Sequence, residues 1–276
     1  MESTPRAIGP FAQLLTMRGL SAKGPLRDEQ LEILPNAGLL VRDGRIEAIE
    51  AFDALALRCL RAGIEVEQVQ GPQVALPGLI DAHTHICFAG SRAQDYAMRS
   101  GGVSYLDIAR AGGGIWDTVQ KTRAASQDEL AALTTARAQR HLRGGVTTIE
   151  VKSGYGLSVD AELKMLRAIR AADAACAADL VATCLPAHIV PKDFDGDERA
   201  WIDCLLSDFF PVVLREALSK RADIFIEESA FSPAAARHYL AATKALGFSH
   251  SLHVDQFTAG SGLLGGGNPA PNADHP

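Results

Sequence analysis

Hydrophobic patterning divides this chain into two regimes at about residue 76. Before it, the stretch "GLLVRDGRIEAIEAF" sets two apolar runs on either side of Asp43-Gly44, a two-residue hairpin signal. Few helical signals precede Pro77, so residues 1–76 read as a small β unit. From Leu76 onward, apolar runs of strand length alternate with amphipathic helical segments. The predicted strands are "GLIDAHTHICF", "GVTTIEVKSG", "DLVATCLPAHIV", "ADIFIEESA" and "SHSLHVDQF". Ser126 with Glu129 makes a capping box for a helix that stops at Gly144-Gly145. Ser158 caps the helix carrying "ELKMLRAIRAA", and Ser232-Pro233 opens another that Gly247 closes. Such alternation predicts a parallel sheet with crossover helices over residues 77–258. Near-continuous apolar strands fit burial on both faces. The glycine- and proline-rich end, residues 259–276, reads as disordered coil.

The polar residues that interrupt this pattern collect at the C-terminal ends of the predicted strands. They are His83 and His85, Lys152 to Tyr155, His188, Glu227 and Glu228, and His253 to Gln256. A (β/α)8 barrel and a doubly wound open sheet both place their active sites at that end, so position alone leaves both open. No GxGxxG follows a strand and no GxxxxGK[ST] occurs; "ARAGGGIWD" is glycine-rich but does not follow a strand.

His83 and His85 are two apart, which on a strand puts both imidazoles on one face. Two imidazoles pointing the same way can share one ion, and zinc and iron both accept this nitrogen. A polar strand end is the plain alternative. Asp81 lies on the same face and could orient a histidine from behind. His253 repeats the situation four strands later and would complete a facial set of three with room for water, while His250 falls on the opposite face. His188 is open between a fourth ligand, a substrate contact and a core histidine. Lys152 is either a lysine carboxylated to bridge two metals or an ordinary exposed one. Arg92 could take a carboxylate in bidentate fashion or be a surface residue. His141 and His238 fall on helices and read as solvated, and Glu227 or Glu228 could face the site.

Composition narrows the field. A chain of 276 residues with 47% hydrophobic and 22% charged residues is an ordinary globular sequence. Its net charge of -6 argues against nucleic-acid and anionic-membrane partners. No apolar stretch is long enough to span a bilayer, and the N-terminus lacks a basic start with an apolar h-region, against secretion. Five scattered cysteines with no CxxC read as reduced thiols in the cytoplasm.

"LPGLIDAHTHICFAGSR" resembles the first barrel strand of the amidohydrolase superfamily, and "DGRIEAIE" the β-sandwich segment before it. "GGVSYLDIARAGGGIWDTVQKTR", "GVTTIEVKSGYGL", "ELKMLRAIR", "LPAHIVP" and "HVDQF" are together similar to the imidazolonepropionase family, over residues 37–260. The resemblance implies an α/β fold: a TIM-type (β/α)8 metal-dependent hydrolase barrel beside a small N-terminal β-sandwich part. It implies one metal ion, zinc or iron, and hydrolysis of the ring C–N bond of 4-imidazolone-5-propanoate to N-formimidoyl-L-glutamate in histidine degradation. Carried over, His83, His85 and His253 match the metal ligands, and Arg92 the arginine that holds the propionate. Tyr105, Tyr155 and His188 match residues lining the substrate site, and Gln256 the catalytic acid-or-amide position that contacts the ring. A small-molecule substrate is the implied partner, and a homodimer is an arrangement the sequence leaves open. Other cyclic-amide hydrolases or deaminases of the superfamily, or a non-catalytic remnant, are the competing readings.

Only five barrel strands can be counted. The resemblance implies that a further strand-end histidine, an aspartate ligand on the eighth strand and the rest of the sandwich are absent. The expectation is a gene truncated or frameshifted shortly after Gln256, with little or no hydrolase activity from this chain alone.

Overall fold

A computed structural model describes residues 4–21, 24–104, 107–108, 113–228, 230–256 and 272–274. The chain divides into two compact units, Met1–Gly78 and Leu79–Pro276.

The first unit is one mixed sheet with a helix on it. Its strands are β1 (Arg6–Leu15), β2 (Ile33–Arg42), β3 (Arg45–Ala51), β4 (Glu65–Gln68) and β5 (Val74–Ala75), in the order β3-β2-β1-β4 with β5 also on β1. Arg42 pairs with Arg45 across the β2–β3 hairpin, and Asp43 and Gly44 take φ of 50° and 72°. Two positive φ values are what the tightest right-twisted hairpin needs, which is why Asp-Gly sits there. Helix α1 (Phe52–Arg61) has no sequence-level start signal: Ala51 occupies its N-cap and no side chain caps it. Phe52, Leu55 and Cys59 supply its buried face, and Leu55 and Cys59 form a small core with Ala7 and Leu40 of the sheet.

The second unit carries a parallel sheet. Its strands are β6 (Leu79–Asp81), β7 (Val146–Lys152), β8 (Asp179–Ala187), β9 (Arg221–Phe225), β10 (Ser249–His253) and β11 (Asn272–Asp274). All pair in parallel, in the spatial order β11-β10-β9-β8-β7-β6. Spatial order thus follows chain order with no reversal. A doubly wound sheet reverses at its switch point and a barrel does not, so this sheet is part of a singly wound, curled barrel. All five predicted strands are present. The first is shorter than its apolar run, because regular pairing stops at Asp81. Of the predicted coil at 259–276, residues 259–271 and 275–276 lie outside the described residues, and Asn272–Asp274 lie extended beside β10.

Between β6 and β7 run α2 (Ala93–Ser100), α3 (Ile115–Ala124) and α4 (Gln127–Arg143); α5 (Val159–Ala174) joins β7 to β8. α6 (Glu198–Cys204) passes through a π-helical turn, Leu205–Phe209, into α7 (Phe210–Arg215), and α8 (Pro233–Ala245) precedes β10. The predicted caps are in place. Ser126, Ser158 and Ser232 accept from the backbone N–H of Glu129, Ala161 and Ala235 at 3.1, 3.3 and 3.2 Å. The unpredicted α6 starts on Asp197, which accepts from Ala200 N–H at 2.8 Å, and Pro211 explains the π turn before it by removing a helical donor. The core between sheet and helices includes Ile149 and Val151 of β7, Leu166 and Ile169 of α5, Phe210 and Tyr239. Among the described residues, no helix is long and apolar enough to cross a membrane.

Replacing Ser126 by alanine removes one cap from the longest helix. A loss of about 1 kcal/mol, read as a lower denaturant midpoint with unchanged slope, is expected.

Candidate metal centre

His83 and His85 lie in the extended segment just beyond β6, which is anchored by the residue between them. Thr84 Oγ1 donates to the carbonyl of Glu150 at 2.5 Å, and Thr84 N–H to Glu150 Oε2 at 3.3 Å. Lys152 N–H donates to the Thr84 carbonyl at 3.0 Å. With Thr84 committed to β7, its neighbours share the other face, ring centroids 5.2 Å apart. Further on, Arg137 of α4 donates to the carbonyls of Ile86 and Phe88, both at 2.6 Å, and lays its guanidinium 3.7 Å from the Phe88 ring centroid. Asp81 accepts from the His83 N–H at 3.3 Å and pairs with His141 at 3.4 Å.

His253, at the end of β10, meets this pair. Its ring centroid is 4.6 Å from that of His83 and 5.3 Å from that of His85, and its Nε2 is 3.2 Å from His85 Nε2. The ligand atoms of all three lie within 4.8 Å of one another. The donor set fits a metal ion. Burial, then the neighbouring imidazoles, hold His85 well below its ordinary basicity, and neutral imidazole is the form that ligates. Asp223 of β9 takes His253 Nδ1 at 2.9 Å, which leaves Nε2 facing the cluster, the carboxylate–imidazole arrangement that orients metal-binding histidines. Burial pushes the Asp223 carboxyl up, but His253 and Lys152 outweigh it and hold it below the ordinary value.

Lys152 is neither exposed nor suited to carboxylation. It is fully buried and donates to Glu150 Oε1 and Asp223 Oδ2, both at 2.8 Å. Burial opposes its charge; the two carboxylates outweigh burial and hold the ammonium above its usual range. A carbamate here would set a third negative charge between them.

The three histidines open into a cavity of about 690 Å³ that Arg92, Tyr155, His188 and Gln256 also line, a volume suited to a small-molecule ligand. Arg92 Nε donates to Asp95 at 3.0 Å, and Asp95 accepts from Gly114 N–H at 2.9 Å. Gly113 is explained by the same carboxylate: a Cβ there would lie 2.4 Å from it. Lys192 lies 5.6 Å from the centre of the Trp116 ring at the same cavity. His188 donates Nδ1–H to the Gly154 carbonyl at 2.9 Å, leaving Nε2 as an acceptor, and burial pushes its pKa down to about 4. Its ring stacks 5.6 Å from His85, with Tyr155 5.6 Å away on another side. The Tyr155 loop needs its glycines: Gly154 takes φ of 105°, and its missing Cβ would press on His188 Nδ1 at 3.1 Å. Buried Glu162 of α5 holds this loop, accepting from Gly154, Gly156 and Leu157 N–H at 2.9, 2.7 and 2.8 Å.

Of the residues expected at the site, Tyr105 lies outside the described residues. Glu227 is buried and Glu228 exposed, and neither lines the cavity. His250 bonds Thr243 on the opposite face at 2.9 Å. His238 meets Asp203 at 2.9 Å, and His275 lies outside the described residues. The sequence reading missed Glu150, Asp223, Asp95 and Glu162. For Glu150 and Asp223 the available signal is an ionisable residue inside an apolar strand, since a buried charge must have a partner; Asp95 and Glu162 lie in the first turns of α2 and α5, where acidic residues are ordinary.

No family model matches the chain. Over 264 residues it is 42% identical to an imidazolonepropionase of Myxococcus xanthus, covering 94% of this chain and 62% of that protein. It is 41% identical over 269 residues to one of Symbiobacterium thermophilum, covering 95% and 62%. The chain is a relative of the imidazolonepropionases. It spans about 62% of the length of these curated relatives. The fold is similar to that of an atrazine chlorohydrolase variant from Arthrobacter aurescens complexed with zinc and atraton. The TM-score is 0.55 at 15% identity, covering 96% of this chain and 56% of that one.

Two outcomes follow for the metal-free chain. Glu162→Ala orphans three buried donors and lowers stability by at least about 3 kcal/mol in denaturant unfolding. His188 binds its proton more weakly folded than unfolded, so its contribution is intact above about pH 6.5 and is lost as pH falls toward about 4. The slope is at most about 1.4 kcal/mol per pH unit from this group, and His188→Gln flattens it in a pH series of melts.

Proposed function

We propose that this chain carries the metal-binding and substrate-binding part of an imidazolonepropionase, which adds water to 4-imidazolone-5-propanoate and opens its ring to N-formimidoyl-L-glutamate. The observation that carries this reading is that Arg92, Tyr155, His188 and the three histidines His83, His85 and His253 line one cavity. A ring with a carboxylate tail gives Arg92, besides its bond to Asp95, a ligand to hold; a ring without the tail does not. Relatedness to imidazolonepropionases supports the choice of substrate.

His83, His85 and His253 would hold one zinc or iron ion. Zinc has the better support, since it is bound in a protein of the same fold. When bound, such an ion lowers the pKa of water toward neutrality and polarises the ring carbonyl. Arg92, fixed by Asp95, takes the propionate carboxylate and so fixes which way round the ring lies. His188 offers Nε2 to a ring N–H, and Tyr155 flanks the ring. Gln256, on the exposed rim, contacts the ring at the catalytic amide position, and Tyr105 belongs to the substrate wall. In the reaction the water oxygen bonds to the carbonyl carbon, the ring C–N bond breaks, and the freed nitrogen takes a proton.

Metal analysis and substrate assays test this. The chain is expected to bind close to one zinc, and His253→Ala to lose it. In the protein that turns over substrate, Arg92→Met raises KM about 100-fold or more with a smaller change in kcat, as for loss of a charge-assisted bidentate contact. Unchanged KM for the imidazolone in the arginine variant would sink the substrate assignment.

A further inference from the structure

One chain of contacts runs beneath the histidines without touching the cavity. Thr84, between His83 and His85, donates its N–H to Glu150 Oε2 at 3.3 Å. Glu150 Oε1 accepts from Lys152 Nζ at 2.8 Å, and the same ammonium donates to Asp223 Oδ2 at 2.8 Å. That oxygen also takes His253 Nδ1 at 2.9 Å. Lys152 and Asp223 are fully buried and Glu150 is 4% exposed.

We propose that Lys152 is a positioning residue for the metal centre: it ties the carboxylate that fixes the His83–His85 segment to the carboxylate that fixes His253, and so sets the spacing of the three imidazoles. The proposal rests on reading those histidines as ligands.

Backbone pairing cannot do this. β7 and β9 each pair with β8 and not with each other, so the Lys152–Asp223 bond spans a strand to join them. Nor is stability a sufficient reason for the ions. Burying two carboxylates and an ammonium costs desolvation, and well-packed apolar replacements for such groups are often as stable. What apolar residues cannot supply is direction. Asp223 Oδ2 has two donors, and without the ammonium the carboxylate is free to turn, carrying the His253 ring with it. Partners behind metal-ligating histidines typically govern affinity by about 10–100-fold.

The test is zinc affinity, by competition with a chromophoric chelator, together with the visible spectrum of the cobalt-loaded chain and thermal unfolding. Lys152→Met is expected to weaken zinc binding about 10–100-fold and shift the cobalt bands. The double variant Glu150→Gln/Lys152→Met removes one charge of each sign. It is expected to recover thermal stability but not zinc affinity, while Glu150→Gln alone, whose single amide oxygen cannot serve both Thr84 and Lys152, loses part of the affinity because Lys152 still holds Asp223. If Lys152→Met does not fold, the double variant carries the comparison. The proposal is overturned by wild-type affinity and spectrum in Lys152→Met, by recovery of affinity in the double variant, or by wild-type affinity in Glu150→Gln alone. A wild-type chain that takes up no zinc removes the centre itself, a result distinct from any of these.

Discussion

Parallel pairing obliges every strand of a sheet to finish on the same rim, and the site depends on that constraint. Residues as far apart as His83 and His253 need no special route to meet; each stands where its strand runs out. A singly wound order then curls the rim, so that ends separated by three intervening strands face one another. The same geometry places Tyr155 and His188 just beyond the ends of β7 and β8, two of the three strands between. Local sequence decides only what each end carries.

How those ends are held differs around the rim. On the β6 side the backbone is tied to β7 and to α4 by Thr84 and Arg137. At the end of β7, the loop wraps a buried carboxylate: the N–H groups of Gly154, Gly156 and Leu157 converge on Glu162, and Arg123 donates to the carbonyls of Gly156 and Leu157 at 2.6 and 2.5 Å. Beneath β10 the support is ionic, from Asp223. Helix packing, backbone capture and buried charge thus each fix one part of the same cluster.

Much of this was legible in the chain. Apolar runs of strand length locate the parallel strands, and serine caps locate α4, α5 and α8, since those signals are local. His83, His85 and His253 stand out because each closes an apolar run and the first two, spaced by two, share a face. Helix α1 escaped because it lacks a capping residue, and α6 with α7 because Pro211 interrupts its period. Asp223 and Glu150 were passed over for a physical reason: their roles come from partners 66 and 30 positions away in the chain, Glu150 bonding Thr84 and Asp223 meeting His253, and spacing along one strand carries no trace of such a partner. Lys152 reads as exposed because lysine belongs on the surface, and only the two carboxylates beside it in the interior reverse that.

The Tyr155 loop is held through its own peptide groups, with Glu162 as the common acceptor. Such a wall takes its shape from main-chain atoms that every residue shares, and Gly154 tolerates no side chain beside His188. The opposite wall takes its shape from the side chains of Arg92, Asp95, Trp116 and Lys192. The cavity can therefore be recut from one side alone: the β7 loop is its fixed face, and exchange of side chains on the arginine side is what alters its outline.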